Sequence, residues 1–161
     1  MAKFKKLPDI AELKEYLDYN PDTGLFTWLK LTGKYSNVKV GDVAGYVSQK
    51  GYIRISFNGN KIQAHRLAWL FHYGVDPGEM DIDHENRDRT DNRISNLRLA
   101  TTQQNSWNRI PKGYKEKRGK FYSQIKIKGK EIHLGVFDCP LLAHLCHMDK
   151  RKELCGEWCP A

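Results

Sequence analysis

Asp83 and His84 stand side by side in the most acidic stretch of an otherwise basic chain. From Glu79 to Arg93 there are six acids (79, 81, 83, 85, 88 and 91) against three arginines, a setting in which a metal cation would sit naturally. An imidazole titrates near neutrality, so His84 can take a proton from water. The carboxylate of Asp83 and the side-chain carbonyl of Asn105, further along the chain, are hard oxygen donors. Such donors suit Mg²⁺ or Mn²⁺ better than zinc. These are the parts that phosphodiester hydrolysis needs: an activated water, neutralised phosphate charge and a stabilised leaving 3′ oxygen. Singly each part is weak, since an Asp-His pair is mostly a surface feature and an Asn after a turn mostly satisfies a loop. Their meaning depends on the elements that hold them.

The chain has 161 residues, 27 Lys+Arg against 19 Asp+Glu, a formal charge of +8 and 40% apolar content. That length fits one compact domain or two to three small ones. No run of 18 apolar residues occurs, and Met1-Ala2-Lys3-Phe4-Lys5-Lys6 leads into polar sequence, so neither a membrane span nor a secretory signal is expected. Between Lys112 and Lys130 eight basic residues face one acid, Glu116, and this excess points to a polyanionic partner.

Asp9 is placed to cap a helix running through Tyr19, with Ile10, Leu13 and Leu17 at helical spacing. The turn Asn20-Pro21-Asp22-Thr23-Gly24 then leads into a strand at Leu25–Trp28. Residues 41 to 63 read as a small antiparallel unit turning at Asn58-Gly59, and a helix from about Arg66 to Tyr73 closes at Gly74. Residues 82 to 101 read as strand, long polar loop, strand. Thr101 and Gln104 form a capping-box pattern, so a helix should begin at Thr102 and carry Asn105 on its first turn. After Ile110-Pro111, strands are expected near 113–117, 120–128 and 131–137, then a helix from Pro140 to Leu154. In the middle strand Phe121, Ser123, Ile125 and Ile127 would face that helix, leaving Lys120, Tyr122, Gln124, Lys126 and Lys128 outward. The fold class is α+β, in three segments: 1–60, 61–109 and 110–161.

Asp81-Ile82-Asp83-His84-Glu85-Asn86, Asp91-Asn92-Arg93-Ile94-Ser95-Asn96-Leu97-Arg98 and Gln104-Asn105 together resemble the HNH nuclease family, in its homing-endonuclease branch common in bacteriophages. The resemblance is close over roughly residues 60 to 109, and Asp22-Thr23-Gly24-Leu25-Phe26-Thr27-Trp28 with Gly51-Tyr52-Ile53 is similar to the lead-in of those phage proteins. It implies a strand, loop, strand, helix unit around one ion, a metal-dependent endonuclease acting on double-stranded DNA. In it His84 would be the general base, Asp83 and Asn105 the ligands of Mg²⁺ or Mn²⁺, and Asn96 the residue that ties the loop so that His84 stays aimed. Neighbours in a regular strand face opposite ways, so a site shared by Asp83 and His84 requires a kink or bulge. Periodicity alone would pair Asp81 with Asp83; the resemblance favours Asp83 with His84. His65, Arg66, Arg98 and Arg109 are candidates for phosphate contact.

Gly113-Tyr114-Lys115, Gly119-Lys120-Phe121-Tyr122-Ser123-Gln124-Ile125 and His133-Leu134-Gly135-Val136-Phe137-Asp138 resemble the apetala-two (ethylene-response-factor) DNA-binding domain, a three-stranded sheet packed on a helix. That resemblance implies DNA contacts from Lys115, Arg118, Lys120, Tyr122, Gln124, Lys126 and Lys128, with Gln124 reading a base edge. His133 stands where that family often has Trp, and lysines stand where arginines often read guanine. Cys139, Cys146, Cys155 and Cys159 lack C-x₂-C spacing and are expected to be thiols rather than disulfides, with a zinc site beside His144 and His147 as the lesser alternative.

The rival reading is a non-catalytic DNA-binding regulator that uses the nuclease fold as a scaffold, with an RNA-directed module third. A phage-encoded chain would act in the cytoplasm of a bacterial host. One centre cuts one strand, so the sequence leaves monomer and homodimer both open. If the basic tail anchors DNA, removing residues 110–161 lowers affinity and flattens the salt dependence, because each neutralised phosphate contributes about −0.9 to the log–log slope. Binding titrations across salt concentrations read this directly, and an unchanged slope would contradict it.

Overall fold

The computed structural model describes residues 6–31, 38–127 and 129–158. Lys128 and Cys159 lie outside the described residues. The chain divides into two compact units, residues 1–102 and 103–161.

In the first unit, helix α1 (Ile10–Tyr16) starts where Asp9 accepts from the backbone N–H of Ala11 and Glu12. It is shorter than the helical spacing suggested. Leu17–Asn20 is strand β1, antiparallel to β2 (Leu25–Trp28). Leu17 and Tyr19 point inward and Asp18 and Asn20 outward, so here a period of two prevails over the Leu13–Leu17 spacing. A three-stranded antiparallel sheet follows, β3 (Tyr46–Val47), β4 (Ile53–Phe57) and β5 (Asn60–Gln63). Asn58 and Gly59 both have positive φ, 45° and 75°, as a two-residue hairpin turn requires. Helix α2 (Ala64–Tyr73) ends at Gly74, whose N–H bonds the carbonyl of Leu70.

Next comes the hairpin β6 (Asp81–His84) and β7 (Leu97–Ala100), joined by a loop that ends in a short 3₁₀ turn at Ile94–Asn96. Leu13, Leu17, Phe26, Ile55, Phe57, Leu67, Ile82 and Leu97 belong to one buried core. Ile82 and Leu97 therefore fix the hairpin to the same interior that holds α2 and the lead-in strands. Side chains of this size each contribute about 1.5–3 kcal/mol when buried.

Helix α3 (Thr102–Trp107) begins where the capping pattern placed it. Beyond it, β8 (Tyr114–Lys117), β9 (Lys120–Ile127) and β10 (Lys130–Phe137) form a three-stranded antiparallel sheet, followed by α4 (Pro140–Cys155). In β9, Ser123 and Ile125 are buried, and Ala143 and His147 of α4 are buried too. The carbonyls of Ser106, Trp107 and Arg109 converge on Nη2 of Arg151, at 3.1, 2.6 and 2.9 Å, which fastens the chain after α3 to α4. The fold is α+β, made of small sheets and short helices.

His147 gives the second unit a pH dependence. Its Nδ1 lies 2.9 Å from the carbonyl of Gln124, while Nε2 is buried with no partner. Burial, ahead of every other influence, lowers its proton affinity from the ordinary 6.5, and the nearby Arg151 acts in the same direction. The unfolded chain then binds more protons below that value, so this contribution is present above it and is lost as the pH falls. Thermal melting from about pH 7.5 to about pH 5 should show a falling Tm that flattens in His147→Gln; an equal slope in both proteins would contradict this.

Candidate active site

Strand β6 ends on His84, which is 4% exposed and lies on the core face with Ile82. Its Nε2 is 3.2 Å from Oδ1 of Asn92, a side chain only 1% exposed. Asn92 donates through Nδ2 to the carbonyl of Thr90, at 3.3 Å, so the amide oxygen is the atom that faces the ring. In the neutral imidazole Nε2 therefore carries the proton and Nδ1 the lone pair. The ring of His65 stands edge-on to that of His84 at 5.1 Å, and Tyr52 lies 6.0 Å away.

Burial lowers the proton affinity of His84 below the ordinary value. The Asn92 hydrogen bond and the carboxylates of Asp83, Asp91 and Asp88 act against it without reversing it. At neutral pH the ring is uncharged and able to accept a proton. His65 is pushed down to about 3, first by burial and then by His84 and Arg66, so the neighbouring imidazole is uncharged too.

The loop from Glu85 to Arg93 is held by its own polar groups. Asn96 ties both of its ends: Oδ1 accepts from Asn86 N–H at 3.0 Å, Nδ2 donates to the carbonyl of Asp91 at 2.8 Å, and its carbonyl accepts from Glu85 N–H at 2.9 Å. Asp88 accepts from Thr90 through both the backbone N–H and the hydroxyl. Asp91 is bonded to Arg93, chiefly for which reason its carboxyl is lowered to about 2. Arg89 donates to the carbonyl of Lys50 at 2.8 Å and lies over the ring of Tyr52 at 4.8 Å. Of the acidic stretch read as a cation pocket, Asp88 and Asp91 are thus committed to shaping their own loop. Among the described residues no group of three or more His, Cys, Asp or Glu could hold a metal ion.

The lead-in hairpin braces this loop. Tyr19, stacked on Phe26, donates its hydroxyl to the carbonyl of Asn92 at 2.8 Å, and Ile94 N–H bonds the carbonyl of Pro21 at 3.1 Å. A Cβ on Gly24 (φ +73°) would lie 2.4 Å from the nitrogen of Arg93 and 2.5 Å from the carbonyl carbon of Asn92. Glycine is required there both for its conformation and for the approach of the loop backbone.

Asp83 is 4% exposed and paired with Arg98 directly across the hairpin, Oδ2 to Nε 2.9 Å. The register of β6 and β7 runs without a shift, so the kink or bulge expected at Asp83-His84 is not present and the two side chains leave the strand on opposite faces. They remain close enough for Asp83 to raise the proton affinity of His84. Asn105 lies on α3, in the second unit. Of the candidate phosphate contacts, His65 is packed inside, and Arg66 is a buried brace to Asp76 and to the carbonyls of Gly78 and Met80. His65 is thus withdrawn from a ligand, and the guanidinium of Arg66 is engaged by Asp76.

In the second unit Lys115, Lys120, Tyr122, Gln124 and Lys126 share one face of the sheet, and Arg118 (φ 51°) sits in the β8–β9 turn. Two carboxylates that the sequence reading passed over stand among them. Glu131 pairs with Lys115 at 3.0 Å and also accepts from Gln124, and Asp138 pairs with Lys120. Other residues passed over are Asn92, Tyr19 and Tyr52. Asn92 lay in a run that composition assigned to turns, Tyr52 was marked only by the lead-in motif, and Tyr19 was read only as the end of the first helix.

Gly24→Ala should lower the unfolding free energy by about 2 kcal/mol or more, because φ strain adds to a backbone clash. Gly41→Ala, at φ +90° with nothing within 4 Å of its Cβ, should cost less. Denaturant unfolding of the two variants measures the difference; equal losses would mean that the close approach at Gly24 carries no energy.

Residues 63–107 match the family model of the HNH endonucleases. An uncharacterized HNH endonuclease of Acanthamoeba polyphaga mimivirus is 40% identical over 65 residues, 40% of this chain and 34% of its own length, so the chain spans about a third of that relative. A solved structure of DNA binding and cleavage by the HNH homing endonuclease I-HmuI aligns with a TM-score of 0.46 and 24% identity, covering 65% of this chain and 57% of that one. The stretch that matches the HNH endonuclease family model, residues 63–107, encloses Asp83, His84, Asn92, Asn96 and Asn105.

Proposed function

We propose that the chain is a divalent-metal-dependent DNA endonuclease of the homing type, with double-stranded DNA as its substrate. The observation that carries this reading is the setting of His84: an uncharged, buried imidazole whose Nε2 is bound by Asn92, so that Nδ1 is the basic atom. The family match over residues 63–107 supports it. In this reading His84 takes the proton of the attacking water at Nδ1, and Asn92 holds the ring so that little reorganisation accompanies the transfer. Asn96 keeps the loop that carries Asn92 closed.

Asp83 and Asn105 would hold the cation, one carboxylate and one amide oxygen. Two hard oxygen donors suit Mg²⁺ or Mn²⁺, ions that keep several waters and bind phosphate oxygens directly. When bound, the ion supplies positive charge to the phosphate and to the departing oxygen. Arg98 pairs with Asp83 at 2.9 Å and so offsets negative charge at this buried carboxylate.

The second unit, a three-stranded sheet with a helix, is proposed as an apetala-two-like DNA-binding domain whose basic face contacts the phosphate backbone. Glu131 and Asp138 offset part of that charge, and Glu131 occupies Gln124. This favours backbone contacts by Lys115, Arg118, Lys120 and Lys126, with Tyr122 between them, over base reading by Gln124. The setting would be the cytoplasm of a bacterial host.

Supercoiled plasmid incubated with Mg²⁺ or with EDTA separates the enzyme from a scaffold that only binds: the enzyme nicks with the ion alone present. His84→Ala should reduce nicking by about 10²–10⁴-fold with DNA affinity nearly unchanged. Asp83→Ala and Asn105→Ala should lower the rate and weaken its dependence on metal concentration together. A His84→Ala protein cutting at the wild-type rate would remove His84 from the mechanism.

A further inference from the structure

The outer face of the sheet β3–β4–β5 carries a cluster of cations that the cutting centre does not use. Ile55 and Phe57 of β4 point into the core, so Arg54 and Ser56 point away from it. Gln63 lies directly opposite Arg54, and Lys61 opposite Ser56, which puts Arg54 and Lys61 on one face as diagonal neighbours. The segment Lys6-Leu7-Pro8 closes this face into a cleft of about 500 Å³. A hydrogen bond of 3.1 Å from Leu7 N–H to Asp76 fixes that segment in place.

Three cations line the cleft, Lys6, Arg54 and Lys61, with no carboxylate among its described lining residues and no ion pair to any of the three among the described residues. Arg66 also reaches it but is bound to Asp76. The Nε of Arg54 is buried without a hydrogen-bond acceptor. A buried guanidinium nitrogen without an acceptor, beside two lysines and a space of this size, offers donors and positive charge suited to an anion. Its apolar lining is Leu7, Pro8 and Ile62, with no aromatic ring on which a base could stack. That combination favours the phosphate of a polynucleotide backbone over a free nucleotide.

We infer that this cleft binds a backbone phosphate of DNA, as an anchoring point separate from the residues around His84. It rests on the proposed function only in taking DNA as the partner. No cleavage is required, so it can be tested on the full chain in EDTA.

The test is a set of binding titrations of a short duplex, a mononucleotide and inorganic phosphate against wild-type protein, Arg54→Gln, Lys61→Glu and the charge-keeping Arg54→Lys. Lys61 is exposed, so its replacement leaves the fold intact even where Arg54→Gln does not. For the duplex, Arg54→Gln and Lys61→Glu should each weaken binding by about three- to tenfold and make the log–log salt slope shallower by about 1, with Arg54→Lys close to wild type. Unchanged duplex affinity and slope in Lys61→Glu would overturn the inference. So would a loss confined to the mononucleotide or inorganic phosphate. A wild-type protein that binds no duplex at all would instead fail the DNA reading itself, which distinguishes the two outcomes.

Discussion

The contact between Nε2 of His84 and the side-chain oxygen of Asn92 joins two groups almost without access to water. In that setting a missing partner is not replaced by solvent, and an unsatisfied polar group costs about 1–3 kcal/mol. The amide cannot turn over either, because its nitrogen is engaged by Thr90. One contact therefore determines which imidazole nitrogen holds the proton and which way the ring faces. Asn92 is in turn held from outside by Tyr19 and its neighbour Ile94 by Pro21, so the lead-in hairpin and the loop form one assembly around the imidazole.

The charges of the loop follow the same logic. Asp88 and Asp91 accept from the loop's own backbone and side chains, and Asp83 answers Arg98 across the hairpin. The carboxylates around His84 raise its proton affinity, yet burial outweighs them and leaves the ring neutral. A base that is neutral at working pH and fixed in one tautomer is what proton abstraction requires. The balance comes from desolvation opposed by nearby negative charge.

Much of this arrangement was legible in the sequence wherever a local rule determined it. The Asn58-Gly59 turn, the Asp9 cap, the start of α3 at Thr102 and the alternation along β9 all depend on contacts within a few residues. Leu17 misled because helix and strand periods agree at that position, and only pairing with Trp28 separates them. Asp83 and His84 were legible as neighbours, but not that a regular strand would carry them on opposite faces. Asn92 was illegible as a partner of the imidazole, because its role depends on a loop closure that no spacing encodes. The pairing of Arg66 with Asp76 and of Lys115 with Glu131 likewise depends on tertiary neighbours, so residues that look alike as cations in the sequence have different tasks in the fold.

The central claim is that His84 is neutral, with its proton on Nε2. Long-range ¹H–¹⁵N NMR of the imidazole nitrogens in ¹⁵N-labelled protein at neutral pH reads this directly. The account predicts a protonated Nε2 and an unprotonated Nδ1 with the shift of a lone-pair nitrogen; a proton on Nδ1, or on both nitrogens, would contradict it.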